Sequence, residues 1–155
     1  MRDSGEPLFE SNLIIEYLDS LLPVEQRLVP ANGERRWQVL RLQALASGMI
    51  DATATRTVES RKSAPTQSPV VLERELGRID RVLARFESIA KPGQPIAGEK
   101  MTAADFILGV ALQYLDFRHT PEWRKAAPKL AAWLAPMAQR PSFKTTQPPG
   151  FTPPA

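Results

Sequence analysis

Along this chain, stretches with apolar residues every three or four positions alternate with stretches broken by proline and glycine, a pattern of helices joined by loops. In "SNLIIEYLDSLLP", Leu13, Ile14, Tyr17, Leu18 and Leu21 form one stripe of a helix that begins at Ser11, and Pro23 closes it. The preceding "DSGEP" is turn-like, and "PLF" reads as a short strand leading into that helix. "PVEQRLVPANGER" is a connector bounded by Pro23, Pro30 and Gly33. From Glu34 to about Arg61 the helical period returns. Leu42, Leu45, Ala46 and Met49 share a face that Ala52 and Thr53 continue. "SAPTQSP" breaks the chain at 63–69, and a third helix follows. Its apolar positions are Leu72, Leu76, Ile79, Leu83, Phe86 and Ala90, while Arg74, Arg78, Arg81 and Arg85 take the opposite face. So two-faced a helix is stable only when packed on a neighbour.

After the loop "KPGQPIAGEK" comes "MTAADFILGVALQYLDFR". Thr102 and Asp105 have the spacing of a capping box, and the run behind them is apolar nearly all round, which predicts a central, buried helix. A last helix is expected from about Pro128 to Gln139, with Leu130, Trp133, Leu134 and Met137 inward. Pro128 suits its first turn, but Pro136 should kink it or end it early. The tail "RPSFKTTQPPGFTPPA" is rich in proline and is expected to lie extended over the surface. The pattern predicts an all-α bundle of about five helices with at most one strand.

Composition narrows the classes. The 155 residues suffice for one domain with a real core, and 43% hydrophobic against 24% charged is a soluble globular balance. No run of 18 or more apolar residues occurs, and "MRDSGEPLF" has no apolar signal region, so neither a membrane span nor a secretory leader is expected. A cytoplasmic location is the default that follows from those missing signals. The chain has no cysteine, which excludes disulfides, thiolate metal sites and a cysteine nucleophile within these residues. The net charge is +3, but the arginines are interleaved with acids, as in "LERELGRIDRVLARFE". That is a solvated helix face rather than a nucleic-acid stripe. His119, the single histidine, has no acidic or hydroxyl partner at useful spacing and reads as an exposed helix-end residue that complements the dipole. No metal site is foreseen.

Several features coincide in order. "ES" opens a helix after a short strand, a proline-containing connector leads to a long helical hairpin, "MTAADF" opens a buried helix, and "PKLAAWLAPMAQRPSFKTT" closes the chain. Together they resemble the glutathione S-transferases, and "GVALQYLDFR" with "RPSF" is similar to one bacterial branch. The resemblance implies four segments. Residues 1–22 are the last strand and helix of a thioredoxin-like, glutathione-binding domain, 23–34 a linker, 35–140 the all-helical C-terminal domain, and 141–155 a proline-rich tail. It also implies an N-terminally truncated chain. The earlier strands, the helix carrying the thiol-activating serine, cysteine or tyrosine, and the cis-proline loop are missing, and Met1 is expected to be an internal methionine of a longer protein. Part of the stripe at Leu13, Ile14 and Tyr17 is then left bare.

The same resemblance implies site residues. Glutathione ends in a carboxylate and an ammonium. A helix N-terminus suits the first, Ser11 adds a donor, and Glu10 accepts from the second. Read from the residues alone, Ser11 is an N-cap and Glu10 a complement to the dipole. Asp51 is the candidate for a contact to glutathione across a homodimer, and Ser47 stands where relatives often carry an acid. Met49, Thr53, Tyr114 and Arg118 are candidates for the pocket of an electrophilic small molecule, with core packing the competing role of Met49 and Tyr114. Arg118 is alternatively a salt-bridged structural residue, and Trp123 and Trp133 are expected in the core. No residue is assigned a catalytic role. Two functions are carried forward: a transferase that directs glutathione thiolate at electrophiles, with this chain inactive alone, or a non-catalytic helical module for dimerisation or partner binding.

Overall fold

The apolar run after Asp105 forms the helix around which the others are arranged. The computed structural model describes residues 5–119, 122–152 and 154, and it contains seven α-helices and no strand among them. They are α1 (Ser11–Ser20), α2 (Gly33–Ser60), α3 (Pro69–Ile89), α4 (Ala103–Arg118), α5 (Trp123–Ala126), α6 (Pro128–Ala138) and α7 (Pro141–Thr145). Short 3₁₀ turns occupy Val24–Gln26 and Ala64–Thr66. Helix α4 is central: Ala104, Leu108, Ala111 and Leu112 are fully buried, and α2 packs along it most extensively. Helix α3 returns antiparallel to α2 and buries Ile79, Leu83 and Phe86 against the same core.

Polar groups set the corners. Asp105 Oδ2 accepts from the Thr102 amide and hydroxyl, both at 2.8 Å, and Oδ1 accepts from the Ile96 amide at 2.6 Å. The capping box therefore closes through the acid more than through the threonine. Glu59 ties the α2–α3 turn by accepting from the Ser68 amide at 2.6 Å and from Lys62 at 2.7 Å. Burial alone would push the Glu75 pKa up. Hydrogen bonds from Arg74 and Arg78 outweigh that and hold it below the usual carboxylate range.

Several expectations change. Residues 7–9 form no strand, because an extended segment without a partner strand has no ladder to join. The stripe of α1, by contrast, is bare in part as expected: Leu13, Leu18 and Leu21 are 51%, 57% and 65% exposed. Leu76, expected inward, is 43% exposed. Pro136 does not break α6. It lies in the last turn, so the one carbonyl it orphans belongs to Ala132, which is exposed to water. The tail is not extended throughout. Helix α7 turns Phe143 inward against α4 at Gly109, where a Cβ would stand 2.7 Å from the Phe143 ring. Asp105→Ala is expected to cost about 2–4 kcal/mol, since two buried amides lose their acceptor, against about 1 kcal/mol for Thr102→Ala. Urea unfolding of both variants checks this, and equal losses would contradict the geometry.

Candidate functional site

Helix α1 begins in an unusual way. Its N-cap is Glu10, not Ser11, and Glu10 has φ 64° and ψ 126°. It is the one non-glycine residue with positive φ among the described residues. Such a conformation costs of order 1–3 kcal/mol and persists only where the surroundings hold it, most often at a binding site. Ser11 is the first helical residue and is exposed, and no side chain caps the helix. The first-turn amides of α1 thus have no side-chain acceptor, and Glu10 and Ser11 are the residues at that helix end.

Mostly polar bonds hold α1 in place. Asn12 donates to the Ser47 hydroxyl at 3.0 Å and accepts from Gln43 at 3.0 Å. Glu16 pairs with Arg36. The buried Asp19 carboxylate accepts from the Leu28 and Val29 amides at 2.6 and 2.9 Å. Ile15 alone on this helix packs on the core cluster. Ser47 is therefore engaged with Asn12, while Asp51, one turn further along α2, is exposed.

The other candidates separate. Met49 and Thr53 are fully buried, and the Thr53 hydroxyl donates to the Met49 carbonyl at 2.8 Å, so both shape the bundle from within. Tyr114 lines a groove of about 660 Å³ with Ile15, Phe106, Val110, Gln113 and Phe117. The Gln113 amide nitrogen there is buried and has no partner. Arg118 makes no ion pair with Asp116, which is taken by Trp123 and Arg124. Its guanidinium lies over the rings of Phe117 and Tyr114 at 4.4 and 5.2 Å and lines a second cleft of about 950 Å³.

His119 belongs to that second cleft, contrary to the sequence reading. Its Nδ1 lies 2.6 Å from Arg56 Nη1 and its Nε2 lies 3.5 Å from the Thr57 hydroxyl. A guanidinium only donates, so Nδ1 accepts and the imidazole proton sits on Nε2. Partial burial, then the charge of Arg56, lower the histidine pKa below its usual 6.5. The partners lie 62 and 63 residues away along the chain, which is why no local spacing revealed them. Among the described residues no cluster of three metal-ligating side chains occurs, and no helix is long and apolar enough to cross a membrane.

A family model described as the C-terminal domain of glutathione S-transferase matches residues 69–135. An uncharacterised GST-like protein of Escherichia coli K12, YibF, is 30% identical over 148 residues, which are 95% of this chain and 72% of that protein. A glutathione transferase family member from Pseudomonas fluorescens Pf-5, solved with bound glutathione, is 36% identical with a TM-score of 0.85, over 95% of this chain and 71% of that one. A glutathione S-transferase from Methylobacillus flagellatus KT, also solved with glutathione bound, is 34% identical with a TM-score of 0.86, over 94% of this chain and 72% of that one.

The single histidine gives one imidazole signal, so its titration by NMR is unambiguous. It is expected to titrate below 6.5, and Arg56→Gln should move it upward. A depressed folded pKa means that the unfolded chain takes the proton first. Stability from this group is full above 6.5 and is lost as pH falls through that value toward the folded pKa. Thermal melts of His119→Gln should therefore lose less stability over that window than the parent. Identical pH slopes would contradict the assignment.

Proposed function

The chain belongs to the glutathione S-transferase family, and from that premise we propose that the N-terminus of α1 is the part of a glutathione site that takes the γ-glutamyl end. The observation that carries this is the start of α1: an uncapped helix end, an exposed Ser11 and a Glu10 held at φ 64°. The ligand carboxylate would accept from the first-turn amides and the Ser11 hydroxyl, and the ammonium would donate to Glu10. The two relatives solved with glutathione bound, at 36% and 34% identity, support the choice of ligand. The Asn12 bonds to α2 then have a purpose, since they fix the helix end on a rigid element.

The reaction of the complete site is attack of glutathione thiolate on an electrophilic small molecule. The groove bordered by Ile15 and Tyr114 is the proposed electrophile pocket, because its wall includes α1. The unpartnered Gln113 amide offers a donor there to a carbonyl or similar acceptor. Exposed Asp51 is proposed to reach glutathione held by a second copy in a homodimer. None of the 155 residues is assigned the thiol-activating role, so the chain alone is expected to be inactive in conjugation. A second reading, a non-catalytic docking module, is favoured by the bare α1 stripe of Leu13, Leu18 and Leu21. Light scattering on the sized protein tests this second reading. A monomer without a partner would sink the docking module.

Glutathione titrated into the labelled chain is expected to shift the amides of the first turn of α1 with millimolar affinity. Ser11→Ala and Glu10→Gln should each weaken this about three- to tenfold, the scale of one hydrogen bond to a charged group. Shifts elsewhere, or binding untouched by both substitutions, would remove the proposal, and conjugation at an ordinary enzymatic rate by the chain alone would remove the assignment of no activating residue.

A further inference from the structure

Helix α4 has one face that the bundle leaves open. Phe106, Val110, Gln113, Tyr114 and Phe117 recur along it at helical spacing and line the groove beside α1. Val110, in the middle of that row, is 50% exposed. Ile15 of α1 and, from the end of the chain, Phe143 and Phe151 complete the walls. The rings are paired. Phe106 and Phe143 stack with centroids 6.4 Å apart, and Phe117 and Phe151 meet edge to face at 5.9 Å.

Within these walls one polar group is left over. The Gln113 amide nitrogen is buried and has no hydrogen-bond partner. Ser142 and Thr146 also border the groove, but both are exposed to water, and the Thr146 hydroxyl donates to the Ser142 carbonyl at 2.7 Å. None of the lining residues among those described carries a charge. Arg118 touches the ring faces of Tyr114 and Phe117 but lines the neighbouring cleft instead. The groove thus offers aromatic surfaces, one hidden donor and no ion partner.

With this groove as the electrophile pocket, the reading on which this rests, we infer that Gln113 sets its specificity and selects a neutral aryl ketone, such as an aryl enone, over aromatic bodies that lack an acceptor. A body that fills the groove drives out the water that would otherwise serve the amide. A turn about the last side-chain torsion of Gln113, which is soft in glutamine, points the nitrogen at that body. A carbonyl there accepts the hydrogen bond, whereas a hydrocarbon of the same shape leaves the donor unsatisfied. Sites built around such a donor reject the analogue that cannot pair with it. An ionised body would shed its water against rings with no ion partner at hand, so the ligand is neutral. The ring faces favour a planar aromatic body over a saturated one of equal size. In an aryl enone the carbonyl also makes the adjoining carbon–carbon double bond electrophilic. The group that Gln113 holds is then the one that makes the molecule a target for a thiolate.

The test uses the whole chain and reads binding alone, so it needs no thiol-activating residue. Benzylideneacetone is titrated beside phenylbutene, which keeps its shape without the carbonyl, and beside its cyclohexyl analogue, which keeps the carbonyl without the ring. The chain has no cysteine for the enone to alkylate. The side-chain amide protons of Gln113 and the backbone amides of Val110 and Tyr114 are followed by NMR. Benzylideneacetone should bind about tenfold tighter than phenylbutene and should move the Gln113 amide protons downfield, as a new hydrogen bond does. It should bind about threefold tighter than the cyclohexyl ketone. Gln113→Met, of similar size and without a donor, should remove the preference for ketone over hydrocarbon. Equal affinity of benzylideneacetone and either analogue, or a preference that survives Gln113→Met, would overturn the inference. The pocket itself would still stand if the Val110 and Tyr114 amides shift with every probe. Binding of none of the probes, or binding that leaves those two amides unmoved, would remove the pocket and the inference with it. Ser11→Ala should change none of these affinities, which separates this test from the glutathione proposal. The comparison of ketone with hydrocarbon needs no variant, so it holds even if a substitution prevents folding.

Discussion

A helix that is apolar on every side can sit in a soluble protein only if its neighbours wrap it and its first amides find acceptors. Helix α4 meets the first condition over most of its surface through α2, α6 and α7, while Val110, 50% exposed, and Tyr114 open on a groove. It meets the second through one carboxylate. Asp105 is fully buried, and its oxygens take the amides of Thr102 and Ile96 and the Thr102 hydroxyl. The Ile96 bond also anchors the loop from α3, and the Ala103 amide donates to the Leu28 carbonyl, so the connector from α1 is tied to the same point. The loop before α4 and the connector before α2 therefore meet at that start.

Helix α1 is held on a different principle. It shares little apolar surface with the bundle and is fastened by Asn12, Glu16 and Asp19. Hydrogen bonds are directional, so this attachment fixes the helix end more tightly than its small contact would suggest. The backbone strain at Glu10 sits at that fixed end. A rigid seat, a strained residue and a helix end without a side-chain cap thus coincide at the start of α1. The same economy of contact leaves Leu13, Leu18 and Leu21 in water.

Local pattern was legible wherever one face of one helix decided the outcome. The alternation of Ile79, Leu83 and Phe86, the capping pair Thr102 and Asp105, and the inward set of Leu130, Trp133 and Leu134 all lie where their spacing puts them. Position within the site was less legible. Thr53 and Tyr114 looked equivalent as pocket residues, yet one is sealed inside the α2–α4 contact and the other opens on a groove. That difference depends on which helix lies opposite, and a periodic stripe does not name its neighbour. His119 and Gln113 carried no local signal at all, because their significance comes from Arg56 and from an absent partner.

By its own pattern the chain determined that it would be helical, which helix would be central, and where the helices would start, because periodicity, capping and proline placement act over a few residues. The order of its motifs also determined its family. Tertiary structure alone decided that Glu10 would be held in a strained conformation, that a proline in the last turn of α6 would be tolerated, and that Phe143 would fold back onto Gly109. It alone brought Arg56, Arg118 and His119 to one cleft. The physical reason is range. Backbone preference and amphipathicity are read within a turn or two, whereas unpaired charge, strain and cavity shape exist only once distant segments are in contact.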